Sequence, residues 1–359
     1  MMLPKPRNIN VDRYVGGLSK YKKIGNSIKL SANESALGPS PKAIKAFERD
    51  KNKILSYPES DSNSLRDAIA KKFNIQSNRI ICGTGSDQIF DLVCKSFLQK
   101  GDEVVVTEFG FIMHKIYASI HGAKILIAKE KQYKASITEI LKKVTYKTKI
   151  VFIANPNNPT GTYLPKNEMI TLRKKLRSNI LLVVDDAYFE FMNRNDFKSG
   201  LDLFKNKPNV LITRTFSKIY GLAGLRLGWG YSSKKIIDSM YKIKPPFNVN
   251  RVALATGIEA IKDNKWTRKA IKHNTLWAKK IFFILKKNNI QTNKPAANFF
   301  LMNFSKTKIN SSQVFKKLAN KRLILRKMLQ YKIPNSLRFT IGNKKANEHF
   351  IKSLESILE

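Results

Sequence analysis

The chain has 359 residues, 42% hydrophobic and 26% charged, a balance that excludes a disordered protein and is enough for a large core with a smaller companion. Its two cysteines, Cys82 and Cys94, exclude a disulfide framework and a multi-cysteine zinc site, and four scattered histidines leave little for a metal centre. Lys plus Arg outnumber Asp plus Glu by 67 to 26, giving +41, but no basic run exceeds three residues (Arg173-Lys174-Lys175), so a solvated lysine-rich surface is expected and not a specific nucleic-acid partner.

Residues 1–14 carry proline and charge without an apolar stretch, so no secretory signal is expected. No apolar run approaches the roughly 20 residues of a membrane span, and a cytoplasmic, membrane-free protein is expected. Short apolar runs then alternate with segments of helical period, the pattern of a mainly parallel sheet covered by helices. The runs predict strands over 80–82, 104–107, 125–128, 150–154, 181–184, 210–214 and 227–231. Lys244-Pro245-Pro246 interrupts the pattern. Helices are predicted near 252–261 and 267–287, with tail strands near 299–304 and 337–341. The expected organisation is an irregular N-terminal arm (1–35), a large α/β domain (36–245) and a small α+β domain (246–359).

Ligands of open α/β sheets sit outside the carboxyl ends of the strands, so the residues just past each strand carry the argument. After the first strand comes Gly83-Thr84-Gly85-Ser86-Asp87-Gln88, a turn that can offer N–H groups and a hydroxyl to a phosphate at a helix N-terminus, or be plain turn chemistry. After 150–154 comes Asn155-Pro156-Asn157-Asn158-Pro159-Thr160-Gly161, with two amides in what could equally be an ordinary tight loop. After 181–184 comes Asp185-Asp186-Ala187-Tyr188; a carboxylate behind four apolar residues needs a cationic partner or caps a helix. After 210–214 comes Thr215-Phe216-Ser217-Lys218, then Gly221-Leu222-Ala223-Gly224-Leu225-Arg226. A lysine among hydroxyls and glycines suits a Schiff base to an aldehyde cofactor, although one lysine in so basic a chain means little by itself.

Together with Leu30-Ser31-Ala32-Asn33-Glu34-Ser35, Leu37-Gly38-Pro39-Ser40-Pro41, Tyr57-Pro58 and Leu337-Arg338-Phe339-Thr340-Ile341-Gly342, these motifs run in register through nearly the whole chain. In that order and spacing the sequence resembles the fold-type I pyridoxal phosphate-dependent aminotransferases of class I/II. The resemblance implies a seven-stranded, mainly parallel sheet with helices on both faces and a smaller α+β domain. It also implies pyridoxal 5′-phosphate as cofactor. The implied donor and acceptor are L-histidinol phosphate and 2-oxoglutarate, giving imidazole acetol phosphate and glutamate. An aromatic amino-acid aminotransferase is the alternative, and less favoured are a phospho-amino-acid decarboxylase and a non-catalytic polyanion-binding protein.

By the same resemblance, Lys218 holds the cofactor and moves the proton, Asp185 pairs with the pyridinium N–H, and Asn158 and Tyr188 bond its phenolic oxygen. Gly85, Ser86, Asp87, Thr215, Ser217 and Arg226 gather at its phosphate, and Phe111 stacks on the ring where a tyrosine is usual. Tyr57 reaches the phosphate of a neighbouring subunit, implying a homodimer. Arg338 grips the anionic end of the substrate and Arg326 its phosphate, with Tyr14 and Asn33 close by. Gln88 replaces a common acid, and Asp186 a common glutamate.

Overall fold

Successive strand residues face opposite sides, so a run that is apolar at every position must be covered on both faces. The structure, a computed structural model, describes residue 11, residues 13–18 and residues 26–359. Seven such segments form one sheet: β1 (Ile80–Gly83), β2 (Glu103–Thr107), β3 (Lys124–Ala128), β4 (Thr148–Ala154), β5 (Leu181–Asp185), β6 (Val210–Thr215) and β7 (Gly228–Tyr231). Their spatial order is β1-β7-β6-β5-β4-β2-β3. Only β7 runs against its neighbours; the remaining pairings are parallel. Alternation divides the sheet residues cleanly. Cys82, Val105, Val151, Leu182, Val184 and Ile212 belong to one apolar cluster, and Ile81, Val104, Phe152, Val183 and Leu211 to another.

A second sheet of β8 (Phe299–Asn303), β9 (Arg326–Lys327) and β10 (Ser336–Thr340) is antiparallel, in order β8-β10-β9. Its apolar side packs on Trp277, Ile281 and Leu285 of the helix Asn264–Lys287 and on Phe350 and Leu354 of Lys344–Leu358. The long helix starts three residues before the expected 267 because Asp263 accepts the N–H of Trp266 at 3.0 Å and caps it. The arm, read as irregular, contributes a two-residue strand, Ile28–Lys29, parallel to Leu323–Ile324. The arm meets the smaller sheet just after it, where the Thr340 N–H donates to the Leu30 carbonyl at 3.0 Å, and this carries Ser31 and Asn33 toward the carboxyl ends of the large one.

Arg214 on β6 faces away from Thr213 and Thr215. It is 3% exposed. Its guanidinium lies 3.5 Å from the Phe189 ring centre and 4.5 Å from that of Phe73. It donates to Ser199 Oγ at 3.0 Å and to Asp186 at 3.4 Å. Burial raises the Asp186 acid to about 6, while Arg214 and the N–H groups of Gly200 and Leu201 hold it down. Arg214→Met would strand that carboxylate, at an expected cost of about 3–5 kcal/mol. A lower urea midpoint with unchanged slope checks this; an unchanged midpoint would show that the pair is not structural.

Candidate active site

The loops after β1, β2, β4, β5 and β6 of the large sheet converge with the arm, and β9 and β10 of the smaller sheet face them. Between them is a cleft of about 290 Å³. Its wall at β1 is the start of the helix Ser86–Phe97, whose N-cap, Gly85, offers no side chain to the first N–H groups. Those donors point outward and suit an anion. Gly85 has φ +83°, and a Cβ there would fall 2.6 Å from Arg226 Nη2, so only glycine fits. Arg226 donates to Asp87 at 3.1 Å, to the Ala223 carbonyl at 3.1 Å and to Ser217 Oγ at 3.4 Å. Gln88 accepts from the Thr84 N–H at 2.8 Å and from Asn248 at 2.7 Å, bracing the turn without the charge of an acid.

On the floor lies Lys218, whose Nζ donates to the Ala32 carbonyl at 3.3 Å and sits 5.7 Å from the Tyr188 ring centre. Burial, with the nearby Arg338 charge, pulls its ammonium from 10.5 down to about 8. Asp185, at the end of β5 and 5% exposed, accepts the N–H of Ala187 at 3.1 Å on one oxygen. Its other oxygen is 3.5 Å from His114 Nε2. The Tyr188 hydroxyl accepts from Asn33 Nδ2 at 2.9 Å, and burial pushes its phenol up to about 12. Thr215 and Ser217 line the same end, with Thr215 Oγ1 accepting the Ser217 N–H at 3.1 Å.

The opposite wall is cationic. Arg326 and Arg338 are register partners across β9 and β10, so both guanidinium groups leave the same face, and both line the cleft while 7% and 6% exposed. Arg338 donates to the Ser31 carbonyl at 2.8 Å and to Asn158 Oδ1, and its Nε has no partner. Arg326 donates to the Val15 carbonyl at 2.5 Å and lies 5.8 Å from the Tyr14 ring centre. Two like charges directly opposite on a sheet repel. Their natural complement is an anion.

The cleft therefore brings together Tyr14, Asn33, Ser86, Asp87, Phe111, Asn158, Asp185, Tyr188, Thr215, Ser217, Lys218, Arg226, Arg326 and Arg338. Gly85 sits behind this lining. Tyr57 does not join it: 79% exposed, it stacks on Phe247 at 4.6 Å on the outer surface. Among the residues not foreseen are His114, Glu34 and Tyr331, together with Ser31 and Ala32, which act through their carbonyls. Glu34 lies inside a motif already singled out. His114 stacks on Phe152 at 4.8 Å and meets Phe111 edge-on at 5.6 Å, in a helix whose sequence reads as ordinary apolar packing. Tyr331, between the two arginines in sequence, carries no signal of its own.

The family model for aminotransferase class I and II matches residues 25–354. The histidinol-phosphate aminotransferase of Pelagibacter ubique (strain HTCC1062) is 53% identical, with 99% of each chain covered. That of Paramagnetospirillum magneticum is 38% identical over 99% of this chain and 98% of its own. Among solved structures, the Sinorhizobium meliloti histidinol-phosphate aminotransferase in complex with pyridoxal-5′-phosphate superposes with a TM-score of 0.85. It is 23% identical and covers 92% of this chain and 90% of its own. The corresponding Clostridium acetobutylicum structure gives 0.84 at 21% identity, covering 91% and 98%. At those identities the superpositions speak for the fold, which is that of the fold-type I enzymes. The chain belongs to the class I and II aminotransferase family.

Proposed function

We propose that the chain transfers the amino group of L-histidinol phosphate to 2-oxoglutarate, giving imidazole acetol phosphate and L-glutamate, as a homodimer in the cytoplasm. The cofactor is pyridoxal 5′-phosphate, and the residues present fit it. An uncapped helix N-terminus, the hydroxyls of Ser86, Thr215 and Ser217, and Arg226 suit its phosphate. Asp185 suits its ring nitrogen, and a lysine with a lowered pKa suits its aldehyde. When bound, the cofactor supplies an electron-withdrawing ring that accepts the electron pair left at the substrate Cα.

The roles proposed for the chain's own residues follow. Lys218 Nζ would hold the cofactor at rest and would carry the proton between the substrate Cα and the cofactor. Asp185 would keep a proton on the ring nitrogen, with His114 Nε2 3.5 Å from its other oxygen. Asn158 and Tyr188 bond the phenolic oxygen, and Phe111 covers one ring face. Arg338 takes the carboxylate of 2-oxoglutarate or glutamate, and Arg326 the phosphate of histidinol phosphate, with Tyr14 and Asn33 lining that end. Tyr57, exposed beside Phe247, Ile54 and Leu55, is offered to the phosphate of a second copy.

The observation that carries this reading is the facing pair Arg326 and Arg338, two buried cations with no salt bridge to a carboxylate among the described residues, opposite an amine-bearing floor. Arg326→Ala is expected to lower kcat/KM for histidinol phosphate about 10- to 100-fold, as the loss of a charged hydrogen bond. Turnover of aromatic amino acids by the same variant should change little. Steady-state kinetics with both donors decide it. Efficient use of aromatic donors with none of histidinol phosphate by the unaltered chain would establish the aromatic aminotransferase instead.

A further inference from the structure

Beside the cleft, one side chain joins the N-terminal arm to the cationic wall. Gln330 lies in the short turn Leu329–Tyr331, between β9 and β10. Its Oε1 accepts the N–H of Val15 at 3.2 Å, and its Nε2 donates to the carbonyl of Arg13 at 3.0 Å. A single amide thus brackets Tyr14, pairing with the chain on either side of it as a neighbouring strand would. The same Oε1 also accepts from Arg326 Nη2 at 3.3 Å. Arg326 in turn donates to the Val15 carbonyl. Among the described residues the arm has two further ties, the Leu18 carbonyl accepting from Ser31 Oγ at 2.7 Å and the Tyr14 ring 5.8 Å from the Arg326 guanidinium, while Tyr14 and Val15 are 42% and 54% exposed and Arg13 and Gly16 are exposed as well.

We propose that Gln330 is a positioning residue that clasps the arm over the cleft and aims Arg326 at the substrate's phosphate, so that anion binding and arm docking reinforce each other. The proposal rests on the reading of Arg326 as the phosphate-binding group. The amide suits both tasks because it donates and accepts at once. A carboxylate at this place would lose the bond to the Arg13 carbonyl and neutralise Arg326. An alanine would loosen the arm at residues 13–15, still tied at the Leu18 carbonyl, and leave Arg326 only the Val15 carbonyl. An order imposed by one group on two others is coupling, and it acts on substrate binding before it acts on chemistry.

The test uses the full-length, cofactor-loaded protein with Gln330→Ala and Gln330→Glu. Trypsin cleavage after Arg13, timed by mass spectrometry, reports arm docking with no reference to the reaction. Gln330→Ala should speed that cleavage about tenfold, as the loss of one to two hydrogen bonds. Histidinol phosphate should slow it in the unaltered chain and protect the variant less. The KM for histidinol phosphate should rise by a similar factor with kcat within about twofold, while the KM for glutamate stays put. Gln330→Glu should raise the KM for the phosphorylated donor further than alanine does. Unchanged cleavage after Arg13 in Gln330→Ala would overturn the clasp. Faster cleavage combined with an Arg326→Ala variant that still prefers histidinol phosphate would overturn the coupling, and it would locate the error in the reading of Arg326.

Discussion

Lys218→Ala is expected to reduce kcat by about 10⁴-fold or more and to abolish the visible absorbance of lysine-bound cofactor. The argument begins with position. β6 ends at Thr215, and the turn that follows places Nζ on the cleft floor, 3.3 Å from one carbonyl; Asp87 and Glu34 favour its charge only weakly, and no salt bridge among the described residues holds it. Burial and the Arg338 charge then lower its ammonium to about 8, so that near pH 8 about half is free amine, where an ordinary lysine is almost fully protonated. A free amine can bond an aldehyde and afterwards accept a proton, and general acid–base groups contribute about 10²–10⁴-fold before covalent tethering is counted. The shift also has a sign for stability. The folded value lies below the unfolded one, so between about pH 8 and 10.5 the unfolded chain binds more protons, and the cofactor-free protein gains stability as pH rises through that window. Lys218→Met should remove this gain, measured as the difference between the two chains' melting temperatures across the window. Retained visible absorbance in Lys218→Ala would mean that another lysine holds the cofactor.

Arg338→Ala is expected to raise the KM for 2-oxoglutarate and glutamate about 100-fold or more, leaving the cofactor absorbance in place. Its guanidinium is spread between the Ser31 carbonyl and Asn158, with Nε uncommitted, and burial already makes its charge costly to hold. A buried fork with a spare donor is poised for a planar anion, and removing one side of such a charge pair costs about 2–5 kcal/mol. Arg338→Lys keeps the charge but not the fork, and should recover only part of the loss. Unaltered KM values in Arg338→Ala would assign the carboxylate to Arg326.

The large sheet was legible because its strands are short apolar runs ended by turn residues, and every one of the seven lies within one or two residues of its expected place. The phosphate end of the cleft was legible for a related reason. Small residues, hydroxyls and a lysine cluster just past strand ends, where a parallel sheet opens. What escaped depends on distant pairing. Ile28–Lys29 is too short for any periodic signal and exists only because Leu323–Ile324 lies beside it. His114 sits in a helix rich in isoleucine, and its approach to Asp185 is made by two strands and a loop that sequence alone does not bring together. Gln330 is one polar residue in a turn, and apart from Arg326 four positions before it, its partners come from the arm, 315 and 317 positions earlier in the chain. Tyr57 was picked out by its motif, yet it leaves the cleft of its own chain and turns to the surface.

The most direct test of the central claim is the visible spectrum of the purified, cofactor-loaded protein as L-histidinol phosphate and then 2-oxoglutarate are added. The lysine-bound band should fade on the first addition and return on the second, because the amino group is taken up and then passed on. A band that ignores histidinol phosphate but fades with an aromatic amino acid would contradict the proposed donor while leaving the family and the site intact.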